Sequence, residues 1–326
     1  MDQWGPAGCR EHFNEIIDHL REQAHKKNLP FIQSVAEGWI NDSIDRANYN
    51  NIVEHQLTVT SSQKRSVVWV YWQGGAEGEE LRYSLRSAYN CLLDHDNFVV
   101  CGDKPDWWRA GHIESPRFNK QDAKKEFGSG RFSKWIDSIV KLQKIIDSPQ
   151  VTDEFLWLYD DTFFLKKIST EWIRQPKYKG MLHTGDPHKK AVRTWREVTR
   201  RTHVSLLERN LSTFNYSTHF PVVYNKHLLQ KTIDEFRCRE QARLIESLYL
   251  NHHCTNPDFL LDHFQYQKRI PPAWSPSSRA AIINVGGFKA PVQRLMNNLY
   301  PEKCMYEQGY FTSDPIAISG VENPST

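Results

Sequence analysis

No C-x-x-C pair occurs among the six cysteines of this 326-residue chain (Cys9, Cys91, Cys101, Cys238, Cys254 and Cys304). Their scattered spacing fits neither a zinc site nor a disulfide frame, and points to reduced thiols in a cytoplasm. No uninterrupted apolar run approaches membrane-spanning length. The opening MDQWGPAGCREHF lacks the basic segment and apolar core of a signal peptide. There is no internal repeat and no low-complexity tract, which excludes solenoids and fibrous chains. The one strand–glycine–glycine–helix pattern is not followed by G-K-[ST], and Glu77, Glu79 and Glu80 crowd its first turn, so a P-loop is excluded. These absences describe a soluble, cytoplasmic globular protein with no membrane span.

Charge of either sign is nearly balanced over the whole chain, at a formal net +3, but it is unevenly placed. Between Arg174 and Arg209 stand Lys177, Lys179, Lys189, Lys190, Arg193, Arg196, Arg200 and Arg201, opposed only by Asp186, Glu197 and Glu208. Such a stretch reads either as the solvated face of a helix or as a surface for a polyanion.

Hydrophobic periodicity predicts helices over 10–27 and 31–47, then a buried strand over 67–72 ending at Gly74 and Gly75. EELRYSLRSAYNCLL follows with Leu81, Leu85, Ala88 and Leu92 on one helical stripe. A second strand over 97–101 ends at Asp103, FSKWIDSIVKLQKIID is a patterned helix, and FLWLY is a third strand. Strand–helix alternation of this kind predicts an α/β fold with a mostly parallel sheet and helical crossovers. Residues 225–269 read as mainly helical, and AAIINVGGFKAPVQRLMNNLY as strand, glycine turn and helix. The division expected is an N-terminal helical region (1–66), a donor-binding half (67–175), an acceptor-binding and helical half (176–311) and a tail (312–326).

The chemistry-bearing stretch is FLWLYDDTFFLKK. Asp160 and Asp161 stand side by side between large apolar runs, at the end of a strand buried on both faces. A plain turn would explain the aspartates. Two like charges at the edge of a core are costly, however, unless a cation or donors compensate them. Arg82 and Arg86, four apart on one helix, would either clamp a pyrophosphate or pair with neighbouring glutamates. Asp103 closes the second strand where a base or ribose would be read, with Trp107 and Trp108 as stacking surfaces or plain core. His219, in NYSTHFP, is either structural or the residue that completes a metal site begun by the aspartates.

Six blocks, VVWVYWQGG, EELRYSLRSAYNCL, CGDKPDWW, FLWLYDDTFF, STHFPVVYNKHLL and INVGGFKAPVQRLMNNLYPEKCMYE, resemble in this order the conserved regions of the Stealth proteins. These are hexose-1-phosphate transferases with a GT-A-like nucleotide-sugar fold. The resemblance spans about residues 67–307. It implies that Asp160 and Asp161 hold a divalent cation (Mn2+ or Mg2+) on the donor pyrophosphate. It also implies that Arg82 and Arg86 lie near the nucleotide-sugar donor, a UDP-sugar, and that His219 serves metal or acceptor chemistry. Three departures stand out: the first block ends in QGG rather than an acidic turn, Tyr159 replaces the family's Asn, and its late Asn-Asp is Asn284-Val285.

Three functions compete. One is a metal-dependent GT-A glycosyltransferase acting on a polyanion. In that case Lys189, Lys190, Arg193, Arg196, Arg200 and Arg201 contact a nucleic acid whose hydroxymethylated base is the acceptor. The others are sugar-1-phosphate transfer to a surface polysaccharide and a nonenzymatic nucleic-acid-binding module. Candidates for the acid–base role are Asp186, in a Gly/Pro-bounded loop, and Asp258 and Asp262, expected four apart on one helical face.

Overall fold

The computed structural model describes residues 64–182, 193–254, 257–259, 264–267 and 270–310. The predicted helices over 10–27 and 31–47 and the tail after Thr312 lie outside these residues. In chain order the elements are β1 (Arg65–Tyr71), α1 (Glu80–Cys91), β2 (His95–Gly102), β3 (Gly111–Glu114), α2 (Lys120–Phe127), α3 (Ser133–Asp147) and β4 (Glu154–Leu158). There follow β5 (Thr162–Phe164), α4 (Thr170–Arg174), β6 (Lys177–Tyr178), α5 (Arg193–Leu207), β7 (Val222–Asn225) and α6 (Lys226–Glu235). Last come α7 (Ile245–His253), β8 (Asp258–Phe259), β9 (Phe264–Gln267), β10 (Ile282–Val285) and α8 (Ala290–Leu299).

The main sheet has the order β3-β2-β1-β4-β7. The first four strands run parallel, and β7 pairs antiparallel with β4 at the edge. This is the expected α/β architecture. Its strands are apolar on both faces because helices cover both. Val68, Val99, Cys101, Phe155 and Trp157 share a core cluster with Ile139, Leu142 and Ile145 of α3. On the opposite face Trp69 donates from Nε1 to Ser84 Oγ of α1 at 2.8 Å. The stripe read in α1 is buried as expected: Leu81, Leu85, Ala88 and Leu92 are at most 3% exposed.

Topology locates a crevice. From β1 the chain moves outward on one side to β2 and β3, then returns to the other side of β1 as β4. The carboxyl ends of β1 and β4 therefore flank the point where the winding reverses, which is where ligands bind in open α/β sheets. Directly after β4 the chain turns at Asp160–Asp161 into a second sheet of order β5-β10-β9.

One expectation is corrected. The 225–269 region is helical only through α7, because β8 pairs with β6 and β9 with β10. Those partners are distant in sequence, and local periodicity carries no trace of them. The five cysteines among the described residues are all free thiols. No helix among those residues is long and apolar enough to cross a membrane.

Candidate active site

The run FLWL is buried by both helical layers, so β4 delivers the next residues to the rim of the sheet. Burial pushes the Asp160 carboxyl up to about 6, with the negative charge of Glu80 adding to it. Burial, then repulsion from Asp160, pushes Asp161 up to about 7. Asn284, fully buried on β10, donates from Nδ2 to Asp161 Oδ1 (2.6 Å) and to Thr162 Oγ1 (3.0 Å). The Val285 amide donates to the Asp161 carbonyl at 3.3 Å. The turn is thus clamped by the second sheet, and one Asp161 carboxylate oxygen is left uncommitted by these bonds.

Sequence reasoning missed the third member of the group. Glu80, the first residue of α1, is 4% exposed. Its Oε1 accepts from the Glu77 amide at 2.8 Å, while Oε2 is buried with no partner among the described residues. Its charge acts on both aspartates, and Glu80 and Asp160 help raise the neighbouring Tyr71 hydroxyl to about 12, behind burial itself. The available signal was an acidic residue opening the helix after the first strand, but it read as a group that merely repels anions. Among the described residues these carboxylates have no paired cation, in a setting where an uncompensated buried charge is expensive.

These donors suit a hard divalent ion. Among the described residues no group of three or more His, Cys, Asp and Glu side chains is arranged to close around a metal. Two carboxylates with substrate phosphates completing the shell is the magnesium or manganese pattern, rather than an all-protein cage. Asp160 and Asp161 fit that role.

Beside the turn opens a cleft of about 490 Å³ formed by the end of β1, the start of α1 and the β2–β3 loop. Tyr71, Gln73, Arg82, Asp106 and Trp107 line it. Arg82 stacks on the Trp107 ring, its carbon Cζ 4.8 Å from the centroid, and pairs with Glu79. Asp103 Oδ2 accepts from the Gln73 amide at 2.8 Å and so ties the end of β2 to the loop after β1. Gly74 and Gly75 lie in a 3-10 turn folded over Trp72; a Cβ at Gly74 would come within 2.7 Å of that ring. Their glycine identity serves this packing, and neither lines the cleft.

Two readings of this region are corrected. Arg86 does not face a donor. It is buried, bonded to Glu307 through Nε (2.6 Å) and Nη2 (2.9 Å), and to the carbonyls of Tyr300 and Pro301 through Nη1. Four residues along a helix share a flank but not an environment, and Arg86 pins α1 to the segment after α8. Trp108 is core, fully buried, with Nε1 donating to the Gly111 carbonyl.

His219 adopts φ 62°, a left-handed backbone uncommon outside glycine. Its ring lies 4.9 Å from that of Tyr159 and 4.9 Å from that of Tyr266, stacked nearly parallel on the latter at 16°. Burial, assisted by Lys134 and Lys179, lowers its proton affinity to about 4, so the ring is neutral at pH 7. It joins no ion-holding group with the aspartates among the described residues.

Asp186, Asp262, Lys189 and Lys190 lie outside the described residues. Asp258 starts the strand β8 opposite Lys177 rather than sitting on a helix. Of the basic stretch, α5 buries Val198, Thr202, Ser205 and Leu206 and turns Arg193, Arg196 and Arg200 to solvent. Arg201 is paired with Glu197 and stacked 4.6 Å from the Phe132 centroid.

No family model matches the chain, and no curated protein matches it in sequence. Among solved structures it is similar to the galactosyltransferase LgtC in complex with donor and acceptor sugar analogues, at 10% identity over 72% of this chain and 96% of that one (TM-score 0.39). It is also similar to mouse xyloside xylosyltransferase 1 in its apo form, at 11% identity over 69% and 98% (TM-score 0.33). A third is the apo-form glycosyltransferase GlyE of Streptococcus pneumoniae, at 14% over 63% and 46% (TM-score 0.31). At such scores the likenesses assign no reaction. The α/β class stands on the strand order and directions of the chain itself.

Proposed function

We propose that the chain is a metal-dependent nucleotide-sugar glycosyltransferase. The observation that carries this reading is the group of Asp160, Asp161 and Glu80, uncompensated carboxylates gathered at the carboxyl ends of β1 and β4, where the winding reverses. Beside it lies a polar cleft of nucleotide size, about 490 Å³. A nucleotide-sugar donor, with UDP-sugar as the leading candidate, fits with its base toward Trp107 and Arg82 and its diphosphate toward the aspartates.

In the reaction the bond between the anomeric carbon and the phosphate oxygen breaks, and the electron pair leaves with the nucleoside diphosphate. A bond to an acceptor oxygen forms, and the proton of the acceptor hydroxyl passes to solvent. A bound divalent ion supplies Lewis-acid stabilisation of the departing diphosphate. The chain's own residues hold the site still: Asn284 fixes Asp161, the Glu77 amide fixes Glu80, and the apolar strands exclude water beneath.

Sugar-1-phosphate transfer of the Stealth type is the alternative. It would break the phosphoanhydride and release a nucleoside monophosphate. At the family's late Asn-Asp, Asn284 is spent on clamping and Val285 is fully buried, so that pair offers no carboxylate to substrate. For the acceptor, the solvent-facing Arg193, Arg196 and Arg200 support a polyanion, with a hydroxymethylated DNA base and an anionic polysaccharide as candidates.

The test is the identity of the nucleotide released. Purified protein is incubated with manganese and a panel of nucleotide sugars, with each acceptor class in turn. A nucleoside diphosphate, lost on chelation, is the expected product. A monophosphate selects the phosphotransferase, and no release from any donor sinks both.

A further inference from the structure

The second sheet carries a feature at the acidic turn that is not among the residues lining the cleft. In the second sheet Asn284 is the register partner of Thr162 on one side and of Tyr266 on the other. The bond from Asn284 Nδ2 to Thr162 Oγ1 shows that side chains on this rung share a face. Tyr266 therefore stands on the face that holds Asp161, and the Asp161 charge acts on its hydroxyl. One face of its ring is backed by His219, at 4.9 Å and 16°. Tyr266 nevertheless stays 37% exposed.

Building on the glycosyltransferase reading, we infer that Tyr266 is the platform of the acceptor subsite, on which a pyranose ring of a carbohydrate acceptor stacks. Such a ring offers a C–H face to one aromatic surface and directs hydroxyls from its edge, as the carboxylates of the turn require. A flipped nucleobase is instead gripped between two flat or apolar faces. Here one face of Tyr266 is already taken by His219, and the neighbouring carboxylates oppose a phosphate backbone. His219, held neutral and in a left-handed backbone, acts as a rigid backing that keeps the tyrosine ring in place. The acceptor is then a glycan, and the ring seated on Tyr266 is an uncharged one.

The test separates acceptor from donor. Y266A, Y266F and Y266W are compared with wild type in donor turnover to water and in saturation-transfer NMR with a panel of methyl glycosides. A hydroxymethylcytosine oligonucleotide serves as the competing probe. Wild type, Y266F and Y266W should saturate the axial C–H protons of at least one glycoside. Y266A should lose that signal and raise the acceptor KM about tenfold, while turnover to water changes less than about twofold. Glycoside saturation surviving in Y266A overturns the platform. So does turnover to water falling in step with transfer, which would give the ring to the donor sugar, or binding of the oligonucleotide with no glycoside bound. If wild type turns over no donor, the glycosyltransferase reading fails on its own and the NMR arm still decides the platform. Should Y266A not fold, Y266L keeps the packing on His219 and carries the comparison.

Discussion

The strands β1 and β4 carry buried charge at both ends, and the two ends are built differently. At their amino ends Arg65 is 1% exposed, and its guanidinium is fully answered: Nε and Nη2 bond Glu154, Nη2 also bonds Glu171, and Nη1 reaches Thr170 Oγ1 at 2.9 Å. Asp94 closes the group by accepting from the Thr170 amide (2.7 Å) and hydroxyl (2.9 Å). At the carboxyl ends Asp160, Asp161 and Glu80 gather with donors from Asn284 and a backbone amide but, among the described residues, no paired cation. A closed cluster has nothing left to bind and belongs to the architecture. An open cluster of one sign is stable only with something added, and that difference separates scaffold from site on a single pair of strands.

The sharpest break of this contrast is to neutralise the open end. D160N/D161N should lower nucleotide release by about a thousandfold or more, on the scale of losing electrostatic stabilisation of a leaving group. The same variant should melt no lower than wild type at pH 7.5, since it removes buried repulsion. Activity retained in a folded variant would remove these aspartates from the site.

Opening the closed end should do the reverse. R65M leaves the Glu154 carboxylate, whose side chain is 16% exposed, with only the longer contact to Arg174 at 3.6 Å, and should cost about 3 kcal/mol, the low end for breaking a buried pair because Arg174 still serves both Glu154 and Glu171. Urea unfolding reads this directly. Nucleotide affinity of the folded variant should be unchanged, because the two clusters sit at opposite ends of the strands.

A smaller effect tests the cleft. W107A should weaken nucleotide binding by about tenfold, the scale of one lost base-stacking contact. Titration calorimetry with the released nucleotide gives the number, and a Kd within twofold of wild type would move the base elsewhere.

The amino-terminal half of this architecture was legible in the sequence because its signals are local. The FLWL run, the stripe Leu81/Leu85/Ala88 and the α3 pattern each announce an element within a few residues, and the acidic pair at a strand end announces the candidate site. What stayed hidden depends on partners far along the chain. Arg86 and Arg82 look alike at four-residue spacing, and both reach Glu307, 221 residues from Arg86; only the fold buries Arg86 there with two short bonds and leaves Arg82 a longer contact at 3.4 Å. Strands β8 and β9 are short and pair with distant segments, so the period of 225–269 read as helix. Glu80 was visible as a charge, but only the fold turns its side chain toward the aspartates.

The subtlest way to sharpen the comparison is pH. Asp160 and Asp161 are raised from 3.8 to about 6 and about 7, so between those limits the native state binds more protons than the unfolded chain. Stability then falls as pH rises, with no penalty below pH 4 and the full penalty above pH 7. His219 and His253 act in the opposite sense: lowered from 6.5 to about 4, they leave the unfolded chain holding more protons, and stability falls as pH drops through that window. A melting curve of wild type alone mixes the two. The difference in Tm between wild type and D160N/D161N, measured with chelator from pH 4 to 8, cancels the histidines and should turn steadily against wild type as pH rises. Manganese should pull that difference back at pH 7.5, because an ion on the carboxylates answers the same repulsion. A difference flat in pH would mean that the open end is already compensated, and the contrast with the closed end would dissolve.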